Sequence, residues 1–172
     1  ELDPGMAFGT GTHPTTMQSV QALERYVHKD DTIIDVGCGS GVLSVAACLL
    51  GAKHSYAFDI DPVAISSTQS NADINHVSSK VIAKQNDLLH NVDMRADVII
   101  SNILAEIIVT FVDDAWKNLK DNGIFITAGI IQRKKEMVID QLEATGFHIL
   151  ECHELKDWIS IVAKKVNNSS SS

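Results

Sequence analysis

Short apolar runs alternate with segments of helical periodicity along most of the chain. Five runs predict strands at about 32–36, 54–60, 80–84, 96–101 and 124–128, and two more at about 147–154 and 158–164 close the chain. The first run is apolar on both faces, which is typical of a parallel strand buried on two sides. The last two runs are separated only by a short turn near residues 156–157, which predicts an antiparallel pair.

Helical patterns occupy the segments between these runs. They predict helices at about 15–27, 41–50, 62–75, from the fourth strand to about 119, and at 131–145. Thr12 is the predicted N-cap of the first helix, and Asp61 that of the third. This alternation predicts an α/β fold with a doubly wound, mostly parallel seven-stranded sheet and an antiparallel terminal hairpin. We expect one domain over 1–166, in which 1–31 form a lid loop and helix, and a disordered tail over 167–172.

A glycine-rich turn follows the first strand and opens a helix. The sequence there is Asp35-Val-Gly37-Cys-Gly39-Ser-Gly41. A strand, a tight glycine turn and a helix N-terminus form a nucleotide site in α/β proteins, because the backbone approaches the ligand closely. The dehydrogenase fingerprint G-x-G-x-x-G is absent, since Val42 stands where its third glycine is required, and the phosphate-loop lysine is absent too.

Three other predicted strands end in polar residues, namely Asp59, Asp87 and Asn102. Because the carboxyl ends of parallel strands share one edge, we expect them to converge with the glycine turn. Asp59 stands where an acid binds ribose hydroxyls, and the pair Asp59 and Asp61 would repel a phosphorylated ribose. The sequence therefore favours an unphosphorylated nucleoside.

Taken together, Asp35-x-Gly-x-Gly-x-Gly, the acid at Asp59 and the terminal hairpin resemble the Rossmann-like class I methyltransferases that use S-adenosyl-L-methionine. Residues 2–16, Leu-Asp-Pro-Gly-Met-Ala-Phe-Gly-Thr-Gly-Thr-His-Pro-Thr-Thr, and 101–105, Ser-Asn-Ile-Leu-Ala, resemble more narrowly the PrmA family. That resemblance implies methyl transfer to lysine side-chain and N-terminal amines of large-subunit ribosomal protein eleven. It also implies that Thr16, Gly37, Asp59 and Asn102 contact the cofactor or line the site.

The resemblance extends to further side chains. Asp87 resembles the acid that meets the adenine amino group in this fold, although a loop carboxylate is often only solvated. Leu88 and Ile60 are candidates for packing on the two adenine faces. With these, the predicted cofactor-binding residues are Thr16, Asp35, Gly37, Gly39, Gly41, Asp59, Ile60, Asp87, Leu88 and Asn102.

Three residues are candidates for catalysis. Asn102 can orient the substrate amine through its side-chain oxygen, helped by the backbone carbonyl of Ile103. Phe8 is a candidate for shielding the methyl group or the amine, or else it anchors its loop. His13 is either an active-site residue beneath the lid or a structural residue before the helix. Trp158 is interpreted as a packing residue.

Alternative functions stay open at this point. Asn102 is not followed by Pro-Pro-Tyr, the sequence of enzymes that methylate planar amide or base nitrogens, so glutamine and adenine targets are disfavoured. A methyltransferase for a small molecule or RNA, a non-catalytic module that binds S-adenosylmethionine and, more distantly, a nicotinamide dehydrogenase are the alternatives.

Composition narrows the partners and the location. The net charge is −8, which argues against direct nucleic-acid binding and suits a basic protein substrate. Three cysteines without CxxC spacing favour a reduced, cytoplasmic protein, and scattered histidines predict no metal site. No apolar run predicts a membrane span. The first residue is Glu1 and the separate recognition domain of the PrmA family is absent from this sequence, so we expect either a fragment or a chain that has lost this domain; the sequence leaves the oligomeric state open.

Overall fold

The structure, a computed structural model, describes residues 13–166. Its strands are β1 (Thr32–Val36), β2 (His54–Asp59), β3 (Val81–Gln85), β4 (Ala96–Asn102), β5 (Leu119–Ile131), β6 (Phe147–Leu155) and β7 (Trp158–Lys165). Its α-helices are α1 (Pro14–Tyr26), α2 (Val42–Leu49), α3 (Pro62–Ile74), α4 (Ala105–Ile108), α5 (Val112–Lys117) and α6 (Lys135–Thr145). A 3₁₀ turn (Gln132–Lys134) precedes α6.

The strands form one sheet in the order β3-β2-β1-β4-β5-β7-β6. Strands β1 to β5 pair in parallel, and β7 runs antiparallel to both β5 and β6. This confirms the predicted doubly wound sheet with its terminal hairpin. The chain leaves β1 in one direction for β2 and β3 and returns on the other side for β4. The crevice for a ligand is therefore expected at the carboxyl ends of β1 and β4.

Successive side chains of β1 enter different cores. Ile33 packs with residues of α1 and α2, including Leu23 and Leu43. Ile34 points to the opposite face and packs with Phe111 of the α4–α5 region and Leu142 of α6. The sheet thus has helices on both faces, which explains why β1 is apolar at consecutive positions.

The long helix predicted after β4 is instead two short helices, α4 and α5. The break lies at Thr110 and Phe111. Thr110 Oγ1 donates to the carbonyl oxygen of Ile107, a local hydrogen bond that competes with helix continuation. Phe111 is 1% exposed and its ring centroid lies 6.0 Å from that of Phe125. Burial of this ring against β5 therefore takes precedence over helical periodicity.

The boundaries of three helices and strands also differ from the prediction. His13, not Thr12, is the N-cap of α1, since its side chain accepts a hydrogen bond from the Thr15 N–H; Thr12 lies outside the described residues. β5 begins earlier and ends later than predicted, and its register shifts between Thr127 and Ile130 around a Gly129 with φ of 80°. The helix predicted from residue 131 begins at Lys135, after the 3₁₀ turn.

Candidate functional site

The glycine turn between β1 and α2 has a left-handed backbone at all three glycines, with φ of 75° at Gly37, 55° at Gly39 and 83° at Gly41. A β-carbon on Gly37 would lie 2.8 Å from Ile103 Cγ2, and one on Gly41 would lie 2.7 Å from Thr68 Cγ2. A β-carbon on Gly39 would meet no described atom within 4 Å. Packing therefore requires Gly37 and Gly41, whereas Gly39 borders open space.

Asp59, the last residue of β2, holds this turn by hydrogen bonds. Its Oδ2 accepts the Gly39 N–H at 3.0 Å and its Oδ1 accepts the Asp61 N–H at 3.0 Å. From α3, Thr68 Oγ1 donates to the Gly39 carbonyl oxygen at 3.2 Å, and Asn71 Nδ2 donates to that of Ser40 at 2.7 Å. Asp61 accepts the Val63 N–H as the predicted N-cap of α3. The carboxylate of Asp59 is thus held rigid, and each oxygen keeps a further lone pair.

The first cleft opens beside this carboxylate and has a volume of about 280 Å³. Five predicted cofactor residues line it, and they are Gly37, Asp59, Ile60, Asp87 and Leu88. Ile60 is 63% exposed and presents an apolar surface. Leu88 has φ of 51°, and Asn86 Nδ2 donates to its carbonyl oxygen at 3.0 Å. The cleft therefore combines one fixed carboxylate with apolar walls.

The second cleft adjoins the first at Ile103 and Ile107, which line both. It has a volume of about 390 Å³. Its remaining described lining residues are His13, Thr15, Asn102, Leu104, Gly129 and Trp158. The two clefts follow one another along the carboxyl ends of β2, β1 and β4, where the topology predicts a ligand.

Two oxygen atoms flank one point in the second cleft. A β-carbon on Gly129 would lie 2.7 Å from Asn102 Oδ1 and 2.9 Å from the Ile103 carbonyl oxygen. The bare backbone of Gly129 therefore leaves room for both acceptors at this corner. A group with two N–H donors is the chemical complement of such a pair.

The Asn102 amide is tied to the start of α1. Its Nδ2 donates to Thr15 Oγ1 at 3.3 Å, and that oxygen lies 2.9 Å from His13 Nδ1. The His13 ring centroid lies 5.9 Å from that of Trp158. The predicted catalytic residues Asn102 and His13 thus share one cleft, while Phe8 lies outside the described residues. Thr15, rather than Thr16, is the threonine among the described lining residues.

Asp35 occupies a different place from the other predicted cofactor residues. Its side chain is buried below the turn, where Ser44 Oγ donates to Oδ2 at 2.8 Å and Ser55 Oγ donates to Ser44 Oγ at 2.8 Å. Burial raises the Asp35 pKa to about 7, although the Ser44 hydrogen bonds oppose this shift. The expectation of direct cofactor contact is therefore replaced by support of the turn from beneath.

Thr15, Gly129 and Trp158 are among the lining residues that sequence reasoning missed. Thr15 stands next to the threonine that was chosen, Gly129 follows the predicted strand 124–128 without any motif and lies inside β5 of the structure, and Trp158 was interpreted as packing. Trp158 begins β7 directly after the two-residue turn Lys156-Asp157, whose φ values are 51° and 70°. A glycine and an aromatic residue at strand termini on the ligand edge were the only available signals.

Comparison with known proteins identifies the family. The sequence profile of a family described as "Ribosomal protein L11 methyltransferase (PrmA)" matches residues 1–166. The chain belongs to the PrmA family. A PrmA relative from Oceanobacillus iheyensis, named ribosomal protein L11 methyltransferase, is 61% identical over 96% of this chain and 52% of its own length. One from Bacillus subtilis is 53% identical, with 96% of this chain and 53% of its own length covered.

One solved structure agrees with this PrmA assignment, and a second shares only the fold. The ribosomal protein L11 methylase of Lactobacillus delbrueckii subsp. bulgaricus superposes with a TM-score of 0.87 at 31% identity, covering 91% of this chain and 81% of that one. Methanocaldococcus jannaschii Trm5 in complex with adenosine has a TM-score of 0.79 at 23% identity, over 90% of this chain and 50% of that chain, which shows the shared fold alone. The chain spans about half the length of the curated PrmA relatives that it matches. Among residues 13–166, no helix has the length and apolarity to cross a membrane.

Proposed function

We propose that this chain is the catalytic domain of an S-adenosylmethionine-dependent methyltransferase, over residues 1–166, and that it methylates lysine side-chain and N-terminal amines of ribosomal protein L11. One observation carries the proposal. The first cleft, which has the Asp59 carboxylate and apolar walls, adjoins the second cleft, in which Asn102 Oδ1 and the Ile103 carbonyl oxygen lie close together. Family membership and the relatives named ribosomal protein L11 methyltransferase support the substrate.

The residues of the first cleft fit the nucleoside part of S-adenosylmethionine. Asp59 has lone pairs for two ribose hydroxyls, and an acid at this position disfavours a phosphorylated ribose. Ile60 and Leu88 offer apolar contact to a flat ring, and Asp87, exposed and 3.5 Å from His90 Nδ1, can accept from an exocyclic amine. The open backbone at Gly39 leaves space beside the turn.

When bound, the cofactor supplies an electrophilic methyl group on a sulfonium leaving group. The protein then has to present a neutral amine in line with that group and exclude water. Asn102 Oδ1 and the Ile103 carbonyl oxygen each accept one amine N–H, which aims the nitrogen lone pair. Two uncharged acceptors also let the nitrogen rotate between successive transfers.

The walls of the second cleft suit a long aliphatic amine. Leu104 is 60% exposed and Ile107 is 38% exposed, so a lysine stem has apolar surface to cover. The Trp158 ring adds aromatic surface to the same cleft. An apolar setting lowers the pKa of a lysine amine and so favours its neutral, nucleophilic form. No carboxylate lies among the described residues of this cleft, and we propose that the amine loses its proton to water before the cleft closes around it.

Charge and location complete the proposal. The net charge of −8 favours encounter with a basic ribosomal protein over nucleic acid. We place the protein in the cytoplasm, where its substrate would be made.

The test is methyl transfer by the full-length protein that contains this chain. Labelled S-adenosylmethionine is mixed with ribosomal protein L11 or with ribosomal RNA, and modified sites are mapped by mass spectrometry. We expect label on lysine side chains and the N-terminal amine of the protein, and a loss of at least 100-fold in kcat for Asn102→Ala. Label on RNA alone, or cofactor binding without transfer to any amine, would contradict the proposal.

A further inference from the structure

The contacts of Thr15 determine the orientation of an amide in the second cleft. We propose that Thr15 is a positioning residue, which forces Asn102 to present its side-chain oxygen, and not its NH₂ group, to the substrate. The inference rests on the proposed function for its kinetic consequence. The hydrogen bonds that link His13, Thr15 and Asn102, called the relay below, are a property of the folded chain itself.

The relay begins at a backbone N–H, whose direction is fixed. The Thr15 N–H can only donate, and it donates to His13 Nδ1 at 3.2 Å. His13 Nδ1 must therefore carry a lone pair. This is the N-cap interaction of α1, which satisfies one of the free N–H groups in its first turn.

The same ring nitrogen determines where the Thr15 hydroxyl donates its proton. Oγ1 lies 2.9 Å from the same His13 Nδ1. Because Nδ1 carries no proton, a hydrogen bond between these two atoms requires the hydroxyl to donate, and the single Nδ1 lone pair is then shared by the hydroxyl and the Thr15 N–H. Only lone pairs of Oγ1 then remain for Asn102, so the atom at 3.3 Å has to be the amide nitrogen.

The amide oxygen is consequently turned to the other side, next to Gly129. There it stands beside the Ile103 carbonyl oxygen, as the close approach of both atoms to a β-carbon on Gly129 indicates. Reversal of the amide would place two N–H donors against the substrate amine and remove one of its two acceptors. The hydroxyl of Thr15, a residue that is 6% exposed, thus determines the polarity of the cleft.

The variants Thr15→Val and Thr15→Ser separate polarity from packing. Valine keeps the shape and removes the hydroxyl, whereas serine keeps the hydroxyl and removes a methyl group. Ser19→Ala is the matched control, because Ser19 is a fully buried hydroxyl one turn later in α1 that donates to the Thr15 carbonyl oxygen. All three keep the His13 cap acceptor and the Thr15 N–H.

The first readout is the side-chain amide resonance of Asn102 by ¹⁵N NMR, assigned by its loss in Asn102→Ala. We expect Thr15→Val to shift this resonance, and Thr15→Ser and Ser19→Ala to leave it near its wild-type position. An Asn102 resonance that Thr15→Val does not move would overturn the proposal, whatever the activity of the protein.

The second readout is steady-state methylation of ribosomal protein L11 by the full-length protein. We expect Thr15→Val to lower kcat at least tenfold, with KM and the affinity for S-adenosylhomocysteine within twofold of wild type, and Thr15→Ser to recover kcat to within threefold. A kcat for Thr15→Val within twofold of wild type, or an equal loss in Ser19→Ala, would refute the positioning role. If Thr15→Val shifts the Asn102 resonance but the wild-type protein methylates nothing, the proposed function fails, while the hydrogen bonds from Thr15 to His13 and Asn102 still stand.

Discussion

Gly129→Ala is the substitution that acts most directly on the two acceptors of the second cleft. Two effects are expected. An L-residue in the left-handed region costs about 1–2 kcal/mol, and alanine regains about 0.4–1 kcal/mol through the unfolded chain, so the net loss of stability is ~1 kcal/mol. In addition, the new methyl group would lie 2.7 Å from Asn102 Oδ1 and 2.9 Å from the Ile103 carbonyl oxygen.

The second effect determines the loss of activity. Ordinary contacts of a β-carbon begin at 3.4 Å, so the amide or the Ile103 backbone has to move by roughly half an ångström or more. A misplacement of 1 Å can cost 100-fold in rate, and we therefore expect kcat to fall about 10- to 100-fold, or ~1.4–2.7 kcal/mol in the barrier. The affinity for S-adenosylhomocysteine should stay within about twofold, since Gly129 does not line the first cleft.

Gly51→Ala is the matched control for this substitution. Gly51 also has a positive φ, of 116°, but a β-carbon there would meet Lys29 Cα at an ordinary 3.6 Å, away from both clefts. Thermal unfolding should show a loss for both variants, larger in Gly129→Ala because its methyl group also displaces its neighbours, and methylation of ribosomal protein L11 should fall only in Gly129→Ala. The reasoning is wrong if Gly129→Ala keeps kcat within threefold of wild type, or if Gly51→Ala loses as much.

Two further predictions concern pH. Burial raises the Asp35 pKa, so between pH ~4 and ~7 the folded state holds a proton that the unfolded state has released. The free energy of unfolding should therefore fall by about 1 kcal/mol per pH unit as the pH rises through this range. Denaturant titrations of Asp35→Asn should show no such dependence on pH. The Glu151 pKa is lowered to about 2: burial raises it, but hydrogen bonds from Tyr26, His153 and Arg25 outweigh burial. The stability from Glu151 should therefore be present above pH ~4.3 and lost as the pH falls towards 2. Glu151→Gln should lower the free energy of unfolding by about 1 kcal/mol at pH 7 and should reduce this loss of stability at low pH. A low-pH dependence that is the same in Glu151→Gln and the wild type would contradict the assignment.

The sequence predicted the fold well because local patterns determine most of it. Consecutive apolar residues in β1 require cover on two faces, and Ile33 and Ile34 indeed enter separate cores. The break at Phe111 was missed because it depends on a tertiary contact with Phe125 in β5. Helical periodicity contains no information on such a contact.

Only part of the candidate site could be predicted from the sequence. Asp59 and Asn102 could be found because strand ends on one edge of a parallel sheet converge. Thr15 could not, since its partner Asn102 lies 87 residues later in the chain. Asp35 was assigned to the ligand by its motif, whereas Ser44 donates a hydrogen bond to it beneath the turn and in turn accepts one from Ser55.

Isothermal calorimetry tests the central claim most directly, that the turn and Asp59 hold the nucleoside of S-adenosylmethionine. S-adenosylhomocysteine and NAD are titrated into the wild type, Asp59→Ala and Asp61→Asn, the last of which removes a neighbouring charge while keeping an N-cap residue. We predict binding of S-adenosylhomocysteine but not of NAD, a loss of about 1–3 kcal/mol for Asp59→Ala, and little change for Asp61→Asn. NAD binding as tight as that of S-adenosylhomocysteine, or an unchanged affinity in Asp59→Ala, would contradict the account.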